Sequence, residues 1–128
     1  MSGCINDVIN ISEFLTRHGF RYDDMVILRD DNPPNPASLP LKQNMIRAMH
    51  WLVDDAKPND SLFFHYSGHG GQNVDFHSEQ DDIYNECIYP LDFDRAGYIL
   101  NTVVPSILEI IFRNYTISWL NRYLWDVD

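Results

Sequence analysis

Pro58-Asn59-Asp60-Ser61-Leu62-Phe63-Phe64-His65-Tyr66-Ser67-Gly68-His69-Gly70-Gly71 is the stretch whose reading decides the fold. A turn at Asn59-Asp60 opens a nearly continuous apolar run. That is the pattern of a strand covered on both faces, and it ends in a glycine-rich loop. In an open α/β sheet, ligands bind beyond the carboxyl ends of the strands, so His69 stands where chemistry is expected. Gly68, Gly70 and Gly71 are expected to supply positive φ and close approach of a substrate backbone, and Gly70 can present an amide to a developing oxyanion. A histidine held there suits a general base near neutral pH. The plain alternative is a surface histidine in a turn.

Working outward, Val8, Ile11 and Leu15 recur on one face of a helix expected over 6–18, with Asn6 or Asp7 as cap and Gly19 after its end. A short buried strand is expected at 25–28, followed by a loop rich in Asp, Asn and Pro. Leu41, Met45, Met49, Leu52, Val53 and Ala56 share a second helical stripe, with Ser38 as cap and Pro58 as stop, and its methionines read as core. Downstream, 86–93 reads as a short strand with Pro90 marking an edge or end. Val104, Ile107, Leu108, Ile111 and Tyr115 suggest a third helix, and the tail 117–128 carries two Trp without clear periodicity. Helix, strand, helix, strand in alternation predicts an α/β layer fold.

The chain has 128 residues, 45% hydrophobic and 13% aromatic, which bounds it to one domain with enough apolar surface for a core. Two cysteines exclude a disulfide scaffold and suggest a reducing compartment, the cytoplasm. No signal peptide is expected from the start MSGCINDV, and no membrane span from 103–112, which Pro105 and Glu109 interrupt. Nineteen acids against nine bases give a formal charge of −10, which disfavours nucleic acid and anionic membranes and favours cations or basic peptides. Asp75, Glu79, Asp81, Asp82, Glu86, Asp92 and Asp94 fall in one segment, in the plain reading a solvated acidic loop.

A nucleophile is harder to find. Ser67 lacks the Gly-x-Ser-x-Gly context of a serine hydrolase. Cys87 reads as a small buried hydrophobe, and Cys4 lies near a helix N-terminus, where a thiol pKa falls. His65, His69 and His77 do not share a helix, and i, i+4 along a strand is roughly 13 Å, too far for one zinc unless the loop folds back. Asp75, His77, Glu79, Asp81 and Glu86 echo a calcium loop, but Gln80 stands where an EF-hand needs Gly, which leaves only a looser carboxylate site. No Gly-Lys-Ser/Thr follows the glycines, so a P-loop is excluded.

In order, Gly3-Cys-Ile-Asn-Asp7, Asn44-Met-Ile, Ala48-Met-His-Trp-Leu-Val53, the block from Pro58 to Gly71, and Ile88-Tyr-Pro-Leu-Asp-Phe93 make a sequence that resembles the metacaspases of the fungal type. The resemblance covers about residues 3–100. It implies a caspase-like three-layer α/β sandwich, with a partial caspase-like domain over 1–102 and a divergent helix and tail over 103–128. It also implies a cysteine endopeptidase that cleaves after Arg or Lys, usually activated by calcium, with family roles in proteolysis and programmed cell death. The catalytic His falls on His69, the Ser before it on Ser67, the S1-pocket Asp on Asp7 and one oxyanion donor on Gly70. An acidic S1 pocket agrees with the charge, since a carboxylate is the natural partner of a guanidinium or ammonium. His69 would take a thiol proton, and the thiolate would attack the peptide carbonyl.

The sequence departs from that pattern in three places. The nucleophile motif Asp-Ser-Cys-His-Ser-Gly, which also carries the second S1 Asp, does not occur, and the region expected to hold it reads Tyr115-Thr-Ile-Ser-Trp-Leu-Asn-Arg-Tyr123. The calcium ligand position falls on Asp82, but the paired acids of that site are replaced by Asn101 and Thr102, which should weaken hard-cation binding. The apolar strand that the resemblance implies ahead of Gly3-Cys4 has no counterpart here, so 25–28 and 62–67 are not expected to pair as in the family. Three readings follow. One is a metacaspase-type fragment inactive on its own. Another is a non-catalytic caspase-like module that binds basic peptides or a full-length paralogue. The third has Cys4 or Cys87 as substitute nucleophile.

Overall fold

The computed structural model of the chain describes residues 2–57, 59–74, 84–100 and 103. Its elements run α1 (Ser2–Arg17), α2 (Lys42–Asp54), β1 (Gly70–Val74), β2 (Tyr84–Ile88), α3 (Phe93–Ala96) and β3 (Ile99–Leu100), with short 3-10 turns at Tyr22–Asp24 and Pro36–Ser38. Among the described residues no helix is long and apolar enough to cross a membrane.

Helix α1 begins at Ser2, so neither Asn6 nor Asp7 caps it. Asp7 instead bonds outward, to Ser67. The C-terminal end follows the expectation. Gly19 takes a left-handed φ of 96°, its N–H donates to Thr16 O at 3.3 Å, and the Phe20 N–H donates to Leu15 O at 3.1 Å. That is the paired closure of a Schellman motif, which needs a residue without Cβ at the turn.

Helix α2 is capped from a distance. Ser38 belongs to a 3-10 turn and makes no cap; Leu41 occupies the N-cap position with no side-chain bond to offer. The free Lys42 N–H donates to Asp92 Oδ1 at 2.9 Å, and Lys42 Nζ donates to Ala96 O at 2.9 Å, so α2 and α3 hold each other's ends. Asp92 therefore leaves the solvated acidic loop in which the sequence reading placed it. Asn44 Nδ2 donates to Leu39 O at 2.9 Å, which ties the preceding loop to the helix.

The stripe of α2 makes the core. Met45, Met49 and Val53 pack with Ile88 and Ile99, and Leu28, Leu62, Phe64 and Tyr66 close around them. The sheet is small and antiparallel, in the order β1-β2-β3, with Gly70 opposite Ile88 and Cys87 opposite Leu100. Strand β2 stops at Ile88, two residues before Pro90, so the expected strand over 86–93 ends early and gives way to α3.

Two strand assignments are corrected. Residues 25–28 and 61–67 form no strand among the described residues. A strand exists only where a neighbour takes up its N–H and C=O groups, and the described sheet lies on the other side of Gly70. The third helix expected from Val104 onward lies outside the described residues.

Candidate active site

The end of the 61–67 segment is bonded to α1: Ser67 Oγ donates to Asp7 Oδ2 at 2.8 Å, across 60 residues of chain. Beside this pair, burial pushes the His65 imidazole below its ordinary range, and the Asp7 carboxylate pulls it partly back. The first site residue, Asp7, is exposed, so its carboxylate remains open to a second partner from solvent.

His69 is placed by its backbone. Its carbonyl accepts the Tyr66 hydroxyl at 2.8 Å and the Tyr89 N–H at 3.1 Å, while its side chain is exposed. The Tyr66 phenol is half-buried and its pKa is pushed up to about 12, chiefly by burial. A phenol that keeps its proton remains a donor, so the clamp on His69 persists across the physiological range.

The glycines serve a different purpose from the one expected. Among the described glycines, positive φ occurs at Gly19 and Gly97, not at Gly68, Gly70 or Gly71. What excludes a side chain is tyrosine. A Cβ on Gly68 would lie 2.5 Å from the Tyr66 hydroxyl, and one on Gly71 would collide with the Tyr89 hydroxyl. The absent Cβ atoms let two rings lie against the segment that carries His69.

Gly70 opens β1 instead of sitting in a free loop. Because the Tyr89 N–H bonds the His69 carbonyl, His69 and Tyr89 form a hydrogen-bonded pair, and the next pair, Gly70 with Ile88, is of the other kind. The Gly70 N–H accordingly points away from β2, off the edge of the sheet. Ser67, Gly68, His69 and Gly70 line one cavity of about 1100 Å³, and Cys4 of α1 lines it too.

The thiols differ. Cys87 is buried, and its Sγ donates to Gly71 O at 3.4 Å, a structural role. Cys4 is half-buried on the first turn of α1. Asp82, Asn101 and Thr102 lie outside the described residues, as does His77. Among the described residues no cluster of three or more His, Cys, Asp or Glu is arranged for a metal ion. In sequence, the site that the resemblance assigns to calcium retains one carboxylate with an amide and a hydroxyl, a donor set of lower charge than paired acids would give a hard dication.

Tyr66 and Tyr89 are the residues that sequence reasoning missed. A phenol in an apolar run next to glycines was the available signal, because a buried Tyr hydroxyl needs a partner and the nearby main chain supplies one.

Comparison with known proteins closes the question of family. The family model described as "Metacaspase, peptidase C14 domain" matches residues 1–120. The chain is 57% identical over 110 residues to Metacaspase-1B of Neurospora crassa, covering 84% of this chain and 25% of that protein. It is 56% identical over 109 residues to Metacaspase-1 of Sclerotinia sclerotiorum, with 84% and 25% covered. For Metacaspase-1A of Aspergillus niger the identity is 55% over 109 residues, with 84% and 27% covered. The chain thus spans about a quarter of the length of the curated relatives it matches. It belongs to the metacaspase family, the peptidase C14 domain of cysteine peptidases.

Proposed function

We propose that this chain carries the histidine half of a metacaspase-type cysteine endopeptidase site, with His69 as base, Gly70 as oxyanion donor, and Asp7 with Ser67 receiving the Arg or Lys that precedes the cut bond. The observation that carries the reading is the Ser67–Asp7 hydrogen bond at 2.8 Å beside a His69 whose backbone Tyr66 and Tyr89 clamp. In the reaction, the imidazole takes a proton from a cysteine thiol. The thiolate then adds to the peptide carbonyl, and the developing oxyanion takes a bond from the outward Gly70 amide. The carboxylate of Asp7, held by one hydroxyl, keeps a lone-pair face for a guanidinium.

On this reading the finer architecture is the caspase-like three-layer sandwich, partial over 1–102 and divergent over 103–128, and the protein works in the cytoplasm. The nucleophile motif is absent from the sequence, so the isolated chain binds basic peptides without cutting them. Calcium has no step in this reading.

The test uses the full chain with a short peptide amide ending in Arg. Binding without turnover is expected, and Asp7→Asn should weaken it at least about tenfold, the scale of losing one charge-assisted pair. Unchanged affinity in Asp7→Asn would remove Asp7 from the pocket. Turnover abolished by Cys4→Ala would overturn the non-catalytic reading in favour of a substitute nucleophile.

A further inference from the structure

His65 stands two residues before Ser67, and both of its ring nitrogens are shielded from solvent. No step of the proposed reaction uses it. Because Ser67 Oγ donates to Asp7 Oδ2, the segment that carries His65 is pinned to α1 at the carboxylate proposed to receive a basic side chain. Burial favours the neutral imidazole, and Asp7 is the charge that opposes burial.

The surroundings add no second charge of that kind. The other titratable groups of the region are Cys4 on α1, Tyr66 and His69 on the segment itself, and Tyr89 beyond β2, all lining one cavity with His65. Tyr66 keeps its proton up to about pH 12 and so contributes no charge. Helix α2 lines that cavity with apolar side chains such as Met49 and Leu52. The charged residues elsewhere in its lining, Arg21, Asp24, Arg29, Asp30, Asp55 and Asp60, do not act on the ring.

Two cations beside one carboxylate share its attraction and repel each other. We infer that His65 sets how strongly the Asp7–Ser67 pocket holds a basic side chain: the neutral ring leaves the carboxylate to Arg or Lys, and the imidazolium takes it up, so acidification releases a basic peptide. The inference rests on Asp7 as the acceptor of that side chain. By linkage the effect is reciprocal, so a bound guanidinium lowers the proton affinity of His65 by the factor by which the proton lowers peptide affinity.

The test measures the affinity of the full chain for a short peptide amide ending in Arg, from about pH 7.5 to about pH 5.5, with helical circular dichroism checking the fold at each point. Affinity should fall at least about threefold on acidification, the scale of one unit charge acting at close range through a nearly aqueous dielectric. His65→Gln should remove that fall, and a peptide ending in uncharged citrulline should show no such trend. A second measurement needs no variant and decides the matter if His65→Gln does not fold. The His65 ring resonances titrate by NMR, and saturating Arg peptide should lower their midpoint.

An affinity for the Arg peptide that stays constant over this range, a fall that persists in His65→Gln, the same trend with citrulline, or a His65 midpoint unmoved by the Arg peptide would each overturn the inference while leaving Asp7 as acceptor. Absence of Arg-peptide binding at every pH would overturn the pocket and this inference together.

Discussion

At the scale of single residues, the site depends on a tyrosine more than on its glycines. Tyr66 donates to His69 O and lies against Gly68, so it fixes the histidine's main chain while packing on the core. Its pKa is raised above the ordinary phenol range, so the native state favours the neutral form. The stabilisation is complete below pH 10 and is lost as pH rises through about 12. Phenolate absorbance should therefore show a tyrosine titrating near 12, and Tyr66→Phe should remove that phase. The same substitution should cost about 1 kcal/mol, one net hydrogen bond, measured by denaturant unfolding. Titration of every tyrosine near the ordinary value would contradict the clamp. His69 itself was legible in the sequence, since a strand-like run ending in glycines points to its carboxyl end. The clamp was not, because its second arm comes from Tyr89, twenty residues further on.

At the scale of elements, the stop of α1 was legible because its physics is local. Gly19 ends α1 because the chain must turn left-handed there, and that requirement is written into one residue. Gly19→Ala should destabilise the protein by about 1–2 kcal/mol, the steric cost of placing a Cβ in that region. Gly19→Asn should cost less, because Asn tolerates the conformation better. Thermal melts of the two variants check the order, and equal melting temperatures would remove the motif from the account. The start of α2 shows the opposite case. Its cap is Asp92, fifty residues away, and no window of sequence around Leu41 contains it. The segments at 25–28 and 61–67 fail as strands for the same kind of reason: their composition suits a buried strand, but a ladder needs a partner.

At the scale of the whole molecule, the described core is one helical stripe laid on a three-stranded sheet. Met45, Met49 and Val53 meet Ile88 and Ile99, with Met49 at 1% exposure at the centre. Met49→Ala should cost about 2–5 kcal/mol through lost burial and the void left behind. In a domain whose net stability is about 5–15 kcal/mol, that is enough to populate the unfolded state markedly. Urea unfolding measures it directly, and a loss below about 1 kcal/mol would show that the stripe is not the core. The surface ion pairs, by contrast, are exposed and contribute little.

The sequence by itself determined the first two helices, the methionine core, the position of His69 and the resemblance to metacaspases, all of which rest on short-range spacing or contiguous motifs. Only the tertiary structure decided that Asp7 and Ser67 are bonded, that tyrosine hydroxyls lie against the glycines, and that Asp92 caps α2. The physical reason is common to all three. Each is a contact between groups distant in sequence, chosen by where the backbone carries them, and periodicity holds no record of that.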